Sequence, residues 1–143
     1  MSNLRHNLQE HTNPKIGILG HYLPKPCGIA TFTANLYQAL STESLQSFEY
    51  VVMTMDESST PYDYQSPVVL TLEKSTPKDY QKAANFIHNQ NIDLLLVQHE
   101  FGLFGGQAGS MLLSLLNKLS IPIIFTCHTV LEKPEPIYRD IMH

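Results

Sequence analysis

Hydrophobic residues along the chain follow two alternating kinds of pattern. Five short, nearly continuous apolar runs, typical of strands buried in a parallel sheet, occur at residues 15–20, 49–55, 68–72, 93–98 and 121–126. Most of these runs are separated by longer segments in which apolar residues recur every three or four positions, which predicts amphipathic helices. Strands that alternate with helices form βαβ units. We therefore expect an α/β fold, a Rossmann-like doubly wound parallel sheet of about five strands with helices on both faces.

The helices have recognisable starts in the sequence. The first begins at Gly28, where an apolar stripe sets in. The second begins at Thr76 and Pro77, because a threonine cap, a proline in the first turn and an acid three residues after the cap signal a helix start. A leucine-rich stripe over residues 111–119 predicts the third helix, and a fourth begins near Pro134.

Length, charge and cysteine content narrow the classes of protein. The 143 residues suffice for one domain, which we place at residues 14–143 after a polar, disordered leader at residues 1–13. The net charge of −4, with no cluster of lysine and arginine, argues against a nucleic-acid partner. Two cysteines are too few for a disulfide scaffold and fit a reducing compartment, the cytoplasm. No apolar run is long enough for a transmembrane segment.

Histidines and glycines follow three of the predicted strands at the points where those strands end. His21 and Gly28 follow the first strand, His99 and its neighbours follow the fourth, and His128 follows the fifth. The carboxyl ends of parallel strands lie at one edge of a sheet, which is where open α/β sheets form their ligand crevices. We therefore expect a binding site at this edge.

Several of these residues admit more than one interpretation. Gly28 at a helix N-terminus would suit binding of a phosphate or carboxylate. Alternatively, glycine meets only a backbone requirement of the turn, since neither the dinucleotide-binding nor the Walker motif is present. His99 and Glu100 lack the second histidine of zinc proteases, and they form either a buried structural pair or part of a site. Gly105 and Gly106, expected to open a helix, provide either loop flexibility or room for a ligand.

Metal chemistry has little support in the sequence. A zinc site made by His21, His99 and His128 is conceivable, but no ligand spacing favours it. Cys27 and Cys127 are predicted to be small buried hydrophobic residues. We predict no metal ion and no cofactor.

Three segments give the chain a family resemblance. They are PCGIATFT at residues 26–33, QHEFGLFGG at residues 98–106 and TCHTV at residues 126–130. In these segments the chain resembles the N-terminal domain of GT-B fold glycosyltransferases, specifically the retaining enzymes of glycosyltransferase family 4. The resemblance covers about residues 15–143, and the second segment is similar to a bacterial subgroup of these enzymes.

The resemblance implies a role for each candidate residue. In such enzymes two Rossmann-like domains face each other across a cleft; the N-terminal one binds a sugar or glycan acceptor, the C-terminal one binds the nucleotide-sugar donor, and no metal is needed. By this resemblance His128 is catalytic and contacts the transferred sugar near its anomeric carbon. The substrate-binding residues implied are Gly28, Ile29, His99, Glu100, Phe101, Gly105 and Gly106.

The expected function is therefore that of the N-terminal half of a glycosyltransferase that transfers a sugar with retention. The donor-binding domain is expected to be missing, because the last helical pattern is followed by no strand. We therefore expect an inactive fragment of a longer protein; the alternative is a natural stand-alone domain with a short terminal helix. An unpaired sheet edge would allow the fragment to self-associate. Two alternatives stay open: a non-catalytic Rossmann-like ligand-binding or interaction domain, and a metal-dependent hydrolase using His21, His99, Glu100 and His128.

Overall fold

The architecture was obtained as a computed structural model, which describes residues 13–43, 47–57, 59 and 61–142. The predicted leader, residues 1–13, lies outside the described residues except for Asn13. The strands are β1 (Lys15–Gly20), β2 (Glu49–Asp56), β3 (Val68–Glu73), β4 (Leu94–His99) and β5 (Ile123–Cys127). The helices are α1 (Gly28–Glu43), α2 (Pro77–Asn89), α3 (Met111–Leu116) and α4 (Pro136–Met142), with a 3₁₀ turn at Gln107–Gly109.

The five strands form one sheet in the order β3-β2-β1-β4-β5, and every pairing is parallel. The central strand, β1, pairs Ile18 with Val52 on one side and with Leu96 on the other. From β1 the chain builds outward through β2 and β3, then returns to form β4 and β5. The strand order thus reverses between β1 and β4, and a crevice forms at the carboxyl ends of strands at such a switch point.

Helices cover both faces of the sheet, which confirms the predicted doubly wound α/β class. On one face, strand residues including Leu19 and Val97 pack with Tyr80 of α2 and Leu115 of α3. On the other face, Ile18, Val52 and Leu96 pack with residues of α1 such as Tyr37. The alternation of side chains along each strand assigns neighbouring residues to opposite layers.

The start of α2 was predicted at the right residue but with the wrong contacts. The helix begins at Pro77 after Thr76, whose side chain makes no capping hydrogen bond. The acid at Asp79 does not complete a capping box. Its Oδ2 accepts a hydrogen bond from the backbone N–H of Glu73 at 2.6 Å, which ties the first turn of α2 to the end of β3.

The third helix and the fifth strand are shorter than predicted. Helix α3 ends at Leu116, and the N–H groups of Lys118 and Leu119 bond to carbonyl groups three residues earlier, so the chain leaves the α-helix in tighter turns. Strand β5 starts at Ile123, after Pro122, which has no N–H to donate to a neighbouring strand. In the described part of the chain, no helix is both long and apolar enough to cross a membrane.

Candidate functional site

The crevice at the switch point depends on a close contact between β1 and β4. A Cβ atom placed on Gly20 would lie 2.9 Å from the Cβ of Gln98 and 3.4 Å from Oγ1 of Thr33 in α1. Only glycine therefore lets the Gln98 side chain lie against β1 beneath α1. Gln98 is fully buried there, and its amide is directed towards the end of β5.

His128 is held at the end of β5 by three contacts. Its Nε2 lies 2.9 Å from Oε1 of Gln98, and its backbone N–H donates to the carbonyl of His99 at 2.9 Å. The imidazole also packs edge to face against the ring of Phe32, with ring centroids 4.9 Å apart. Phe32 lies one turn after Gly28 on the same side of α1. The imidazole of His128 is therefore fixed beside the first turns of α1.

The N-terminus of α1 is open at Gly28. This residue is exposed, and a Cβ atom added to it would meet no atom within 4 Å. Its φ is not in the left-handed region, so the backbone does not require glycine here. The adjacent Ile29 is half-buried and packs against the core. Of the two predicted site residues at this helix start, only Gly28 faces open space.

The thiol of Cys27 caps α1. Its Sγ accepts a hydrogen bond from the N–H of Ala30 at 3.3 Å and lies 3.3 Å from Nδ1 of His21. Cys27 is half-buried and Cys127 is exposed, so the prediction that both are small buried hydrophobic residues was wrong. The reason is their position. Both cysteines lie at the edge of the sheet formed by the carboxyl ends of the strands (the carboxyl edge), where the hydrophobic core ends.

His21 is an uncharged imidazole surrounded by lysine and carboxylate side chains. Burial, helped by the charges of Lys25 and Lys74, lowers the pKa of His21 to about 4. Its Nε2 is buried without a hydrogen-bond partner. Asp56 and Glu57 are the nearby carboxylates that oppose this shift in the pKa.

Asp56 ends β2, at the position where dinucleotide-binding domains use a carboxylate to bind ribose. Here the carboxylate is already engaged. Its Oδ1 lies 3.5 Å from Nζ of Lys25 and accepts a hydrogen bond from the N–H of Glu57, and its Oδ2 accepts one from the N–H of Tyr62. Sequence reasoning did not single out this group of charges, although an acid as the last residue of a strand was a signal for it.

His99 and Glu100 form no pair, because the imidazole is buried and the carboxylate is not. His99 is 4 % exposed and lies among Phe101, Phe104 and Phe125, with its Nδ1 buried and unpartnered. Burial lowers the pKa of His99. The imidazole packs on the α3 face of the sheet, whereas that of His128 packs on the α1 face.

Glu100 links the loop after β4 to the loop after β5. Its Oε1 accepts a hydrogen bond from the N–H of Phe101 at 2.9 Å, and its Oε2 accepts one from the hydroxyl of Thr129. Both carboxylate oxygens are thus used within the protein. Glu100 positions the two loops at the carboxyl edge.

The predicted glycine pair is packed against its neighbours. A Cβ atom on Gly105 would overlap the carbonyl oxygen of Lys74. Gly106 has a φ of 78°, in the left-handed region that favours glycine. The pair does not open a helix, because a 3₁₀ turn follows and α3 begins only at Met111.

Two concave surfaces lie near these loops. A cleft of about 410 Å³ is bordered by Lys74, Phe101, Gly105, Gly106 and Tyr138. A more apolar pocket of about 250 Å³ lies beside His99, between α3, β5 and α4.

The described residues offer no metal centre. Within residues 13–43, 47–57, 59 and 61–142, no three His, Cys, Asp or Glu side chains come together as a metal site. His99 and His128 lie on opposite faces of the sheet, so the three strand-end histidines do not converge on one ion.

Comparison of the chain with protein-family models, with curated proteins and with solved structures finds no match. The resemblance described above rests on residues 26–33, 98–106 and 126–130. The structure places His128 against Phe32, one turn after Gly28 in α1. It places Phe101, Gly105 and Gly106 together at the cleft of about 410 Å³, while His99, Glu100 and Ile29 are engaged in internal contacts.

Proposed function

We propose that this chain is the acceptor-side, N-terminal domain of a retaining GT-B glycosyltransferase, which transfers a sugar from a nucleotide-sugar donor to a sugar or glycan acceptor. The observation that carries the proposal is the position of His128 beside the open N-terminus of α1, at the point where the strand order reverses. Transfer with retention passes through an oxocarbenium-like state while a diphosphate leaves. The site must therefore stabilise negative charge and hold the sugar in place.

The N-terminus of α1 suits the leaving group. The thiol of Cys27 accepts the N–H of Ala30, but the N–H groups of Gly28 and Ile29 have no partners within the helix, and the helix dipole adds a partial positive charge. Gly28 leaves space in front of these groups, because no atom lies within 4 Å of the position that a Cβ would occupy. A phosphate oxygen or an acceptor hydroxyl can then approach the backbone closely.

His128 suits the transferred sugar. An amide oxygen only accepts hydrogen bonds, so with Oε1 of Gln98 2.9 Å from the imidazole, Nε2 of His128 carries the proton in this proposal. This leaves Nδ1 to accept a hydrogen bond from a sugar hydroxyl. Because Gln98 and Phe32 fix the ring, little orientation is lost when the sugar binds.

In this proposal a second Rossmann-like domain holds the donor. The residues that bind the donor would belong to that second domain. The chain by itself is then expected to bind a saccharide and to transfer none. A cytoplasmic location belongs to the proposal, since both cysteines are free thiols.

The apolar pocket beside His99 favours a second candidate, a non-catalytic ligand-binding domain. Its walls include Leu112, Leu116 and Phe125, and its volume of about 250 Å³ would hold a small apolar molecule. A domain of this kind would bind an apolar ligand on the α3 face and would ignore saccharides.

Saturation-transfer NMR on the 143-residue protein tests the proposal. We expect saccharides to receive saturation, and His128→Ala to weaken their binding about fivefold, the equivalent of one lost hydrogen bond. His88→Ala, an exposed histidine of α2, is the matched control and should leave binding unchanged.

Three results would count against the proposal. Saccharide binding that is indifferent to His128→Ala would remove the proposed role of the imidazole. Binding of apolar ligands alone would favour the second candidate. Sugar transfer by the purified chain would show that the donor needs no second domain.

A further inference from the structure

The cleft of about 410 Å³ lies between the end of β3, the loop after β4 and α4, and it has walls of two kinds. On one side the rings of Phe101 and Tyr138 meet edge to face, with centroids 4.8 Å apart. On the other side lies Lys74, which follows β3 directly. Gly102 and Gly106 border the cleft between them and are exposed, so no side chain covers the backbone there.

Two hydrogen bonds join the segments that form the cleft. The hydroxyl of Tyr80 donates to the carbonyl of Lys74 at 2.7 Å and accepts from the N–H of Gly105 at 2.8 Å. Tyr80 is buried, and the Cβ position of Gly105 is filled by the Lys74 carbonyl. The two segments that carry the cleft are therefore locked together, and a ligand need not order them.

The ammonium group of Lys74 lies at the rim of the cleft and is paired with the carboxylate of Glu57. Its Nζ lies 2.7 Å from Oε1 of Glu57 and 3.5 Å from the carbonyl of Gly102. Both side chains of the ion pair are partly exposed, at 30 % for Lys74 and 39 % for Glu57. The hydrogen bond from Lys74 lowers the pKa of Glu57, so the carboxylate stays charged. An exposed pair of this kind contributes little stability, and another anion can replace its carboxylate.

We infer that the cleft is an acceptor subsite for a saccharide that carries a negative group, a carboxylate or a phosphate. The sugar ring packs against Phe101 and Tyr138, and its anionic group displaces Glu57 from Lys74. Apolar walls with one well-placed polar group are typical of small-molecule sites, and lysine is a common partner of phosphate and carboxylate. This inference rests on the proposed function and names the class of its acceptor.

The Glu57–Lys74 ion pair gives the inference a sharp test, because its two partners should have opposite effects. Binding of glucuronate, glucose 6-phosphate, glucose and inorganic phosphate is measured by NMR titration of the full chain. Lys74→Gln should weaken glucuronate and glucose 6-phosphate about tenfold, since a charged hydrogen bond is lost. Glu57→Gln should strengthen both about two- to fivefold, because the competing carboxylate is gone.

Two further variants complete the design. Tyr138→Leu should weaken both charged sugars and leave inorganic phosphate unaffected. Lys78→Gln, an exposed lysine of α2, is the control for a general loss of positive charge and should change nothing. Thermal melts show whether each variant is folded. If Lys74→Gln does not fold, the stronger binding of charged sugars expected for Glu57→Gln tests the inference instead.

The inference is overturned if glucose binds as tightly as glucuronate, or if Glu57→Gln leaves the charged sugars unaffected. It is also overturned if inorganic phosphate binds as tightly as glucose 6-phosphate, because the aromatic wall would then contribute nothing. Saccharide binding that depends on His128 but not on Lys74 overturns this inference and keeps the proposed function. Binding that depends on Lys74 but not on His128 supports the subsite and removes the proposed role of the imidazole.

Discussion

Glycines at the carboxyl edge differ in what surrounds them. Gly20 lies against the buried side chain of Gln98, and Gly105 lies against the carbonyl of Lys74. Gly28, in contrast, faces open space at the start of α1. A methyl group should therefore have different effects at these positions, which separates packing requirements from space kept for a ligand.

We expect Gly105→Ala to lower the free energy of unfolding by about 1–3 kcal/mol, because the methyl group would force the Lys74 backbone away. Gly28→Ala should change it by less than about 0.5 kcal/mol, as is usual for exposed positions, and should weaken saccharide binding. Urea denaturation of both variants, with NMR titration of the second, measures these effects. A Gly28→Ala variant as unstable as Gly105→Ala would contradict the open environment of Gly28.

The sequence predicted which histidines lie at strand ends, but it did not predict their contacts. His21 and His128 directly follow β1 and β5, and His99 is the last residue of β4, because the apolar runs before them mark where the strands end. The hydrogen bond between Gln98 and His128 joins residues 30 positions apart. The packing of Gln98 against Gly20 likewise depends on the pairing of β1 with β4. Such contacts follow from strand order and register, which a local pattern does not contain.

At the scale of elements, apolar patterns predicted the strands to within one or two residues. The pattern overextended the third helix for a physical reason: Leu119 packs against the core from the turn that follows α3. An apolar residue in the pattern indicates that its side chain is buried, but a side chain can be buried from a turn as well as from a helix. The same limit applies to the loop of residues 100–106, where the buried Leu103 and Phe104 belong to no helix or strand.

Tyr80 joins α2 to the loop after β4, so its hydroxyl should stabilise both elements. Tyr80→Phe would leave the buried N–H of Gly105 without its partner. We expect a loss of about 1–3 kcal/mol in the free energy of unfolding and faster hydrogen exchange at Gly105. Tyr50→Phe, at the start of β2, is the control. Unchanged exchange at Gly105 would show that the loop does not depend on the Tyr80 hydroxyl.

At the scale of the whole molecule, the two edges of the sheet differ in character. In the described part of the chain, β5 pairs only with β4, and its five residues carry no charge. Ile124 and Phe125 are 54 % and 43 % exposed. The opposite edge strand, β3, ends in the acid Glu73. An uncharged edge strand with exposed apolar side chains readily pairs with another strand.

We therefore expect the protein to self-associate through β5 as its concentration rises. Ile124→Lys should shift the equilibrium to the monomer, because a charge on an edge strand opposes pairing. Val69→Lys places the same charge on β3 and is the matched control, which should self-associate like the unaltered protein. Sedimentation velocity over a range of concentrations measures this. A monomer at every concentration, or equal effects of both variants, would exclude β5 as the interface.

The tethered carboxylate of Glu57 sets a threshold for what can occupy the cleft. A group attached to the same molecule competes with free ligands as if it were present at a constant concentration, in the millimolar range for short flexible tethers. A free anion that offers charge alone must exceed that concentration to reach Lys74. A ligand that also packs against Phe101 and Tyr138 can enter well below it. The ion pair would thus act as a filter that excludes the small anions abundant in a cell and admits ligands that match the cleft in both charge and shape.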